Sequence, residues 1–441
     1  MNAADASGFD PEQDPATQQK KDGIIKCLVQ IGIPMFFYIS GMGATFFNTE
    51  AKGFAVFLGD KILRLIVPFI LAIFIFLIPR LYFGQQYEDF TRPNGRIETD
   101  YWEFQMQTLP TIFSKLSWLW YLPALFIDCI LTYPLLAWSV RRAKKIPFNG
   151  RDDGNIVLLQ LAILIVWSYP CFYMDTDDNY GQRFLLPSIL TLAIFLMIFY
   201  SFQMLIHQEG GAKYAMWMKL IGPIGSVCLN LWKDQAPNRP LHHVLMMINY
   251  DAIFFSQGLV DQLYFKQMLR TRNYLADTIA APIAMLAFIL LYSLSSPQNY
   301  SDTGFLFFYP LYGDWSVQCL YTSGTWMWVF VVTWLMHAFA NKEFNATSYK
   351  LLTGSSLYAY ISHYFFIIII AVMIIRPYKI TFLPALVLEI VLTNATIIVS
   401  YIILDFVYGM FVTPKQPTRQ RDEEEQQALL KNEEIMVNAK N

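Results

Sequence analysis

Two kinds of side chain in this sequence could do chemistry: histidines able to accept a proton, and cations able to hold a phosphate. His363 lies in YAYISHYFF, inside an apolar run. A neutral imidazole there can take the proton of a hydroxyl. It can equally be a structural histidine, bonded to a backbone carbonyl or a tyrosine. Residue 367 is Ile, so the spacing of an HExxH-type metal site is absent and no metal is expected. His242 and His243 follow Pro240 and lie nine and eight residues before Asp251. Helix neighbours point about 100° apart, so only one of the two can face a shared pocket. Interfacial polar residues are the other reading of the pair. Lys61 and Arg64 are three residues apart, on one face of an α-helix. Two such cations suit a phosphorylated donor; anchoring to lipid headgroups is the alternative.

Other ionisable residues fall within or near apolar runs: Asp128, Asp251, Asp261, His337, Glu389 and Asp405. Charge inside a membrane is costly, so such residues tend to be paired or functional. The five cysteines, at 27, 129, 171, 228 and 319, form no CxxC pair and read as small buried hydrophobes. Ser40, Gly41 and Gly43 close the first apolar run, where small residues permit close helix approach. Trp118, Trp120 and Tyr121 suit a membrane interface, or the lining of a polar acceptor site.

The elements that must position these residues are apolar helices. The composition is 55% hydrophobic and 15% charged, against about 25% charged in soluble domains. Mean hydropathy is +0.36, diluted by polar loops and tails. A spanning helix needs about 20 mostly apolar residues. Eleven stretches qualify: 24–46, 62–83, 118–138, 155–174, 184–206, 214–232, 241–262, 276–295, 319–340, 353–375 and 382–411. The weakest are 214–232, with Gly222, Pro223 and Gly225, and 241–262, with its histidines, Asn249 and Asp251. Continuous runs such as IIIIAVMII exclude the alternation of a membrane β-barrel. The expected fold is therefore an all-α polytopic transmembrane bundle of ten or eleven spans, over residues 24–411. A polar tail at 1–23 precedes it and a charged tail at 412–441 follows.

Counting spans in alternation puts Lys61, Arg64, the 141–145 cluster, Arg270, Arg272 and the C-terminal tail on one side, the cytoplasmic one. The same count puts the polar N-terminus outside, so either the short tail crosses with its first helix or a preceding helix is missing from the chain. With 32 Lys+Arg against 34 Asp+Glu, no concentrated positive field suits nucleic acid. The expected surroundings are a lipid bilayer, in a plasma membrane or endomembrane.

Four segments carry a resemblance. GIPMFFYISGMGATFF, GDKILRLIVPF, LSWLWYLPALF and LLTGSSLYAYISHYFFIIII resemble, in order and spacing over 24–411, the acyltransferase-3 family of membrane proteins, which includes glucan-succinylation and sugar O-acetylation enzymes. The resemblance implies a membrane O-acyltransferase. It would move an acyl group from a cytoplasmic acyl-CoA-type donor to a hydroxyl of an extracytoplasmic acceptor, commonly a carbohydrate. It also implies that Lys61 and Arg64 meet the donor phosphates, and that His363 matches the family's late-helix histidine. No permanently bound cofactor is implied. Family enzymes carry an earlier helix with an arginine and then a catalytic histidine. MNAADASGFDPEQDPATQQKKDG has no histidine, so His242, His243 or His363 would have to serve as base, or an upstream helix would. A non-catalytic relative and a transporter of a polar solute are the competing readings.

Overall fold

In the computed structural model, the described residues are 33–47, 53–83, 100–144, 146, 148–173, 181–208, 211, 214–233, 240–271, 322–333, 346–371, 374 and 382–411. The expected spans at 276–295 and the two tails lie outside them, as does His337. The chain divides into two compact units, Met1–Phe344 and Asn345–Asn441. Among the described residues every regular element is helical and none is a strand. Among the described residues, four helices are long and apolar enough to cross a membrane: Phe54–Phe83, Tyr121–Ala143, Arg183–Ile206 and Val387–Asp405. Ile33–Ala44, Ile221–Asn230 and Ser355–Ile370 are apolar but shorter.

In the first unit, α1 (Ile33–Ala44) buries Met35, Phe37, Tyr38, Gly41 and Ala44, one stripe at helical spacing, and leaves Phe36 and Ile39 outward. Its tight partner is α7 (Pro240–Thr271). A Cβ on Gly41 would collide with the backbone of Phe255, and one on Gly258 with the backbone of Tyr38. The two helices thus touch backbone to backbone at two glycines, as the small residues of the first run suggested. Gly43 has open space around it and plays no part.

Helix α2 (Phe54–Phe83) begins eight residues earlier than the hydropathy suggests. Pro68 has no N–H for the carbonyl one turn back. Just ahead of it the helix loosens into a π-turn, Ile62–Ile66, in which the Val67 N–H reaches Ile62 O. A short helix, α3 (Tyr101–Thr108), capped by the Asp100 carboxylate, lies in the stretch expected to be loop.

Helix α4 (Tyr121–Ala143) is the hub and packs against α7, α2, α5 (Gly150–Ser168) and α6 (Leu186–Ile206). Polar side chains tie these helices, which matters because lipid removes the apolar driving force between them. Gln160 donates to Leu131 O at 2.9 Å and accepts from Tyr200 at 3.2 Å. Asn249 accepts from Trp167 at 2.8 Å and donates to Ser188 at 3.1 Å.

The doubtful 214–232 stretch is broken: Tyr214–Met218, then a turn, then α8 (Ile221–Lys233). The doubtful 241–262 stretch is part of α7, 32 residues long, in which Asn249, Asp251, Ser256, Gln257 and Asp261 are buried. Residues 322–333 form α9, whose Trp326 stacks on Phe254 with centroids 4.2 Å apart. In the second unit α10 (Ala346–Ile370) packs against α11 (Phe382–Phe411), joined by the Tyr358–Ser400 bond at 3.0 Å.

Candidate functional site

The interior of the first unit holds a polar set where α1, α4 and α7 meet. Tyr38 donates to Asp261 at 2.7 Å, and Gln257 donates to the other oxygen of that carboxylate at 2.7 Å. Gln257 in turn accepts from the Gly222 N–H at 2.9 Å, so α1, α7 and α8 share one chain of bonds. Ser40 and Tyr121 share a hydroxyl–hydroxyl bond at 2.9 Å. Phe37 packs edge-on against the Tyr121 ring, 4.7 Å between centroids. Asp128, fully buried, lies about two helical turns along α4 from Tyr121. It is within electrostatic range of Asp251 on α7, and both carboxyl groups act on Tyr121. Among the described residues neither oxygen of Asp128 has a hydrogen-bond partner.

Lys61 and Arg64 lie about two and three turns into α2, which starts at Phe54, and Lys61 reaches towards α4. The rings of Phe54 and Phe57 pack on Tyr133 at 4.9 and 4.8 Å, which aligns the start of α2 with the middle of α4. Lys61, one turn later, is within electrostatic range of Cys129, and its Nζ rests over the Phe57 ring at 5.2 Å. Cys129 and Arg142 are roughly 20 Å apart along α4, at 1.5 Å per residue. Arg64 bonds Asp60 at 2.8 Å, with its side chain 72% exposed. The π-turn starts between the two cations, so they are rotated further apart than the same spacing in an α-helix.

The basic cluster at the end of α4 is occupied. Arg142 makes two bonds to Asp153, at 2.9 and 2.8 Å, and stacks on Trp138 and Phe148. Arg141 adds pairs with Asp152 at 3.5 Å and with Asp153 at 3.8 Å. Asp153 is 1% exposed and also accepts from the Asn149 N–H at 2.8 Å. The positive charge expected to mark a membrane side here also clamps α4 to the first turn of α5. The signal was present in the sequence: Asn149 followed by Asp152 and Asp153 is a helix start with acidic residues where the dipole favours them.

The candidate histidines belong to different units. The backbone of His242 and His243 forms the first turn of α7. His363 belongs to α10 in the second unit. Its Nδ1 lies 2.6 Å from Tyr360 O and 3.2 Å from Ala359 O. A carbonyl can only accept, so Nδ1 carries the proton and the neutral ring keeps its lone pair on Nε2. This is the backbone bonding of the structural reading, and it also fixes which nitrogen can act as a base.

A further histidine escaped the sequence reading. His207 ends α6, and its Nε2 lies 3.0 Å from the buried Tyr264 hydroxyl, which donates to Gln203 at 3.2 Å. No local pattern marks it, because its partner is 57 positions away. Among the described residues no cluster of three or more His, Cys, Asp or Glu could hold a metal ion. Compared with known proteins, the chain matches no family model, no curated protein and no solved structure.

Proposed function

We propose that the chain is a membrane O-acyltransferase that moves an acyl group from a cytoplasmic acyl-CoA-type donor to a hydroxyl of an extracytoplasmic acceptor, a carbohydrate. The observation that carries this reading is spatial. Three of the four segments that resemble the acyltransferase-3 family, far apart in sequence, pack together: Ser40 of the first bonds Tyr121 of the third, and Phe57, one turn before Lys61 of the second, stacks on Tyr133 just beyond the third. Buried carboxyl and hydroxyl groups lie among them, so the meeting point is polar and not merely a packing seam.

In this reading Lys61 and Arg64 hold the donor phosphates. The donor then reaches alongside the middle of α4, away from the end that Arg142 and Asp153 close. The acceptor hydroxyl gives its proton to a histidine, its oxygen attacks the thioester carbonyl, and the thiolate leaves and takes up a proton. The candidates for that base are His363, acting through Nε2, His242 and His243. The protein is a multi-pass protein of a plasma membrane or endomembrane, with a cytoplasmic C-terminus.

The test uses membranes containing the full chain and labelled acyl-CoA. Labelled acyl groups in alkali-labile ester linkage to carbohydrate, diminished in the Lys61→Ala/Arg64→Ala variant, support the reading. Solute flux with no acyl transfer would replace it with a transporter.

A further inference from the structure

Lys61 can meet a donor alongside α4 only if the first two turns of α2 present it on that side. The inward stripe of α2 is Phe57, Lys61, Leu65 and Phe69. Its three apolar members are buried and Lys61 is half-buried, whereas Ile62, Leu63 and Val67 are exposed. The Phe57 ring packs on Tyr133 of α4 at 4.8 Å, and the Lys61 Nζ rests over Phe57 at 5.2 Å. The members of the stripe are four residues apart. On a regular α-helix, at about 100° per residue, each step of four drifts by about 40°, and Phe57 would stand about 120° from Phe69. Such a helix could not keep all four on one side.

The π-turn at Ile62–Ile66 removes the drift. A single π-turn holds one residue more than an α-turn, which takes back about 100° and leaves Phe57 and Lys61 within about 20° of Phe69. Its position follows from Pro68, whose ring would clash with the Arg64 carbonyl of a regular helix. The same relation recurs: the π-turns Ile73–Leu77 and Gly181–Leu185 also end two residues before a proline, Pro79 and Pro187. Pro134 sits inside α4 without such a turn, so proline alone does not impose one. In α2 the stripe that must be buried supplies the second condition.

We propose that Pro68 is a positioning residue for Lys61: by holding the π-turn it turns the start of α2, and Lys61 with it, towards α4. The inference rests on the proposed function only for what Lys61 meets there. Restoring the N–H at 68 lets α2 relax to a regular helix, which swings Lys61 away from α4 by about 100°.

Cross-linking in membranes containing the full chain tests the rotation. The five native cysteines are changed to alanine and a pair is introduced by Phe57→Cys and Tyr133→Cys, joined by a short permeant linker for two thiols. The pair should cross-link with Pro68 present. Adding Pro68→Ala should cut the yield to about a tenth, because a rotation of about 100° points position 57 away from α4. Deleting Leu63, 68% exposed, from the Pro68→Ala chain removes the extra residue and should restore the yield; an unfolded helix would not recover in this way. A yield unchanged by Pro68→Ala, or one that the deletion does not restore, would overturn the positioning. Without the introduced cysteines, Pro68→Ala should raise KM for labelled acyl-CoA with kcat held, and the deletion should bring KM back. Cross-linking that follows the expected pattern while KM stays constant would leave Pro68 as the residue that turns Lys61 and remove Lys61 from the donor site.

Discussion

Replacing Gly41 by alanine tests the contact on which the interior depends. The new methyl would lie 2.8 Å from the carbonyl carbon of Phe255 and 3.0 Å from its Cα, against 3.4–4 Å for ordinary contact. Backbone cannot swing aside as a long side chain can, so α1 and α7 must separate by about 1 Å. That shift stretches the Tyr38–Asp261 bond, now 2.7 Å, beyond hydrogen-bond range. Overpacking costs about 1–3 kcal/mol, and losing a hydrogen bond to a charged group about 1.5–3 kcal/mol. The expected loss is therefore about 3–5 kcal/mol. Gly258→Ala forces the same separation, its methyl falling 2.8 Å from the carbonyl carbon of Tyr38. Once the helices have parted for one methyl, the second costs less, and the double variant should lose about 1–2 kcal/mol less than the sum. Gly43→Ala is the control: nothing lies within 4 Å, and the better helix former should be neutral or slightly stabilising. Reversible unfolding in mixed detergent micelles, followed by tryptophan fluorescence, measures all four. A loss below about 1 kcal/mol for Gly41→Ala, or strict additivity of the two, would refute the backbone contact.

Arg142→Ala should cost about 3 kcal/mol in the same assay, the low end for a broken buried pair, because the buried Asp153 loses both short bonds and keeps only Arg141 at 3.8 Å. Arg64→Ala should leave stability within about 1 kcal/mol, since its pair with Asp60 is exposed; by the proposed function it should raise KM for the acyl donor. His363→Gln should abolish acyl transfer while circular dichroism stays unchanged, and a variant with full activity would remove His363 as the base.

Much of this architecture could be read from the sequence where one helix alone determined the outcome. The final apolar run, 382–411, coincides with Phe382–Phe411 because a long uniform apolar stretch has clear ends. Gly41 was readable as a point of close approach, since a missing side chain at the end of an apolar stripe has few other uses. Tyr121 was one of three aromatic residues that could line a polar site, and it joins the polar set through its bond to Ser40. The limits appear where partners come from elsewhere. The histidines, Asn249 and Asp251 made 241–262 look doubtful as a span, yet Asn249 finds its bonds inside the bundle. The depth of Lys61 depends on how α2 and α4 align, which Phe57 and Tyr133 set across 76 residues of sequence. Arg142 looked like a marker of membrane side because its charge was visible and the burial of Asp153 was not. His207 carries no local signal; only the fold brings it to Tyr264.

The most direct measurement of the proposed activity is the fate of the acyl group. Proteoliposomes holding the purified full chain, supplied with labelled acyl-CoA outside and a mixture of soluble sugars within, are assayed for free thiol and for labelled ester. An acyltransferase produces both in equal amounts, with less of each for Lys61→Ala/Arg64→Ala. Membranes in which neither thiol nor ester rises above protein-free liposomes, across short and long acyl groups, would contradict it.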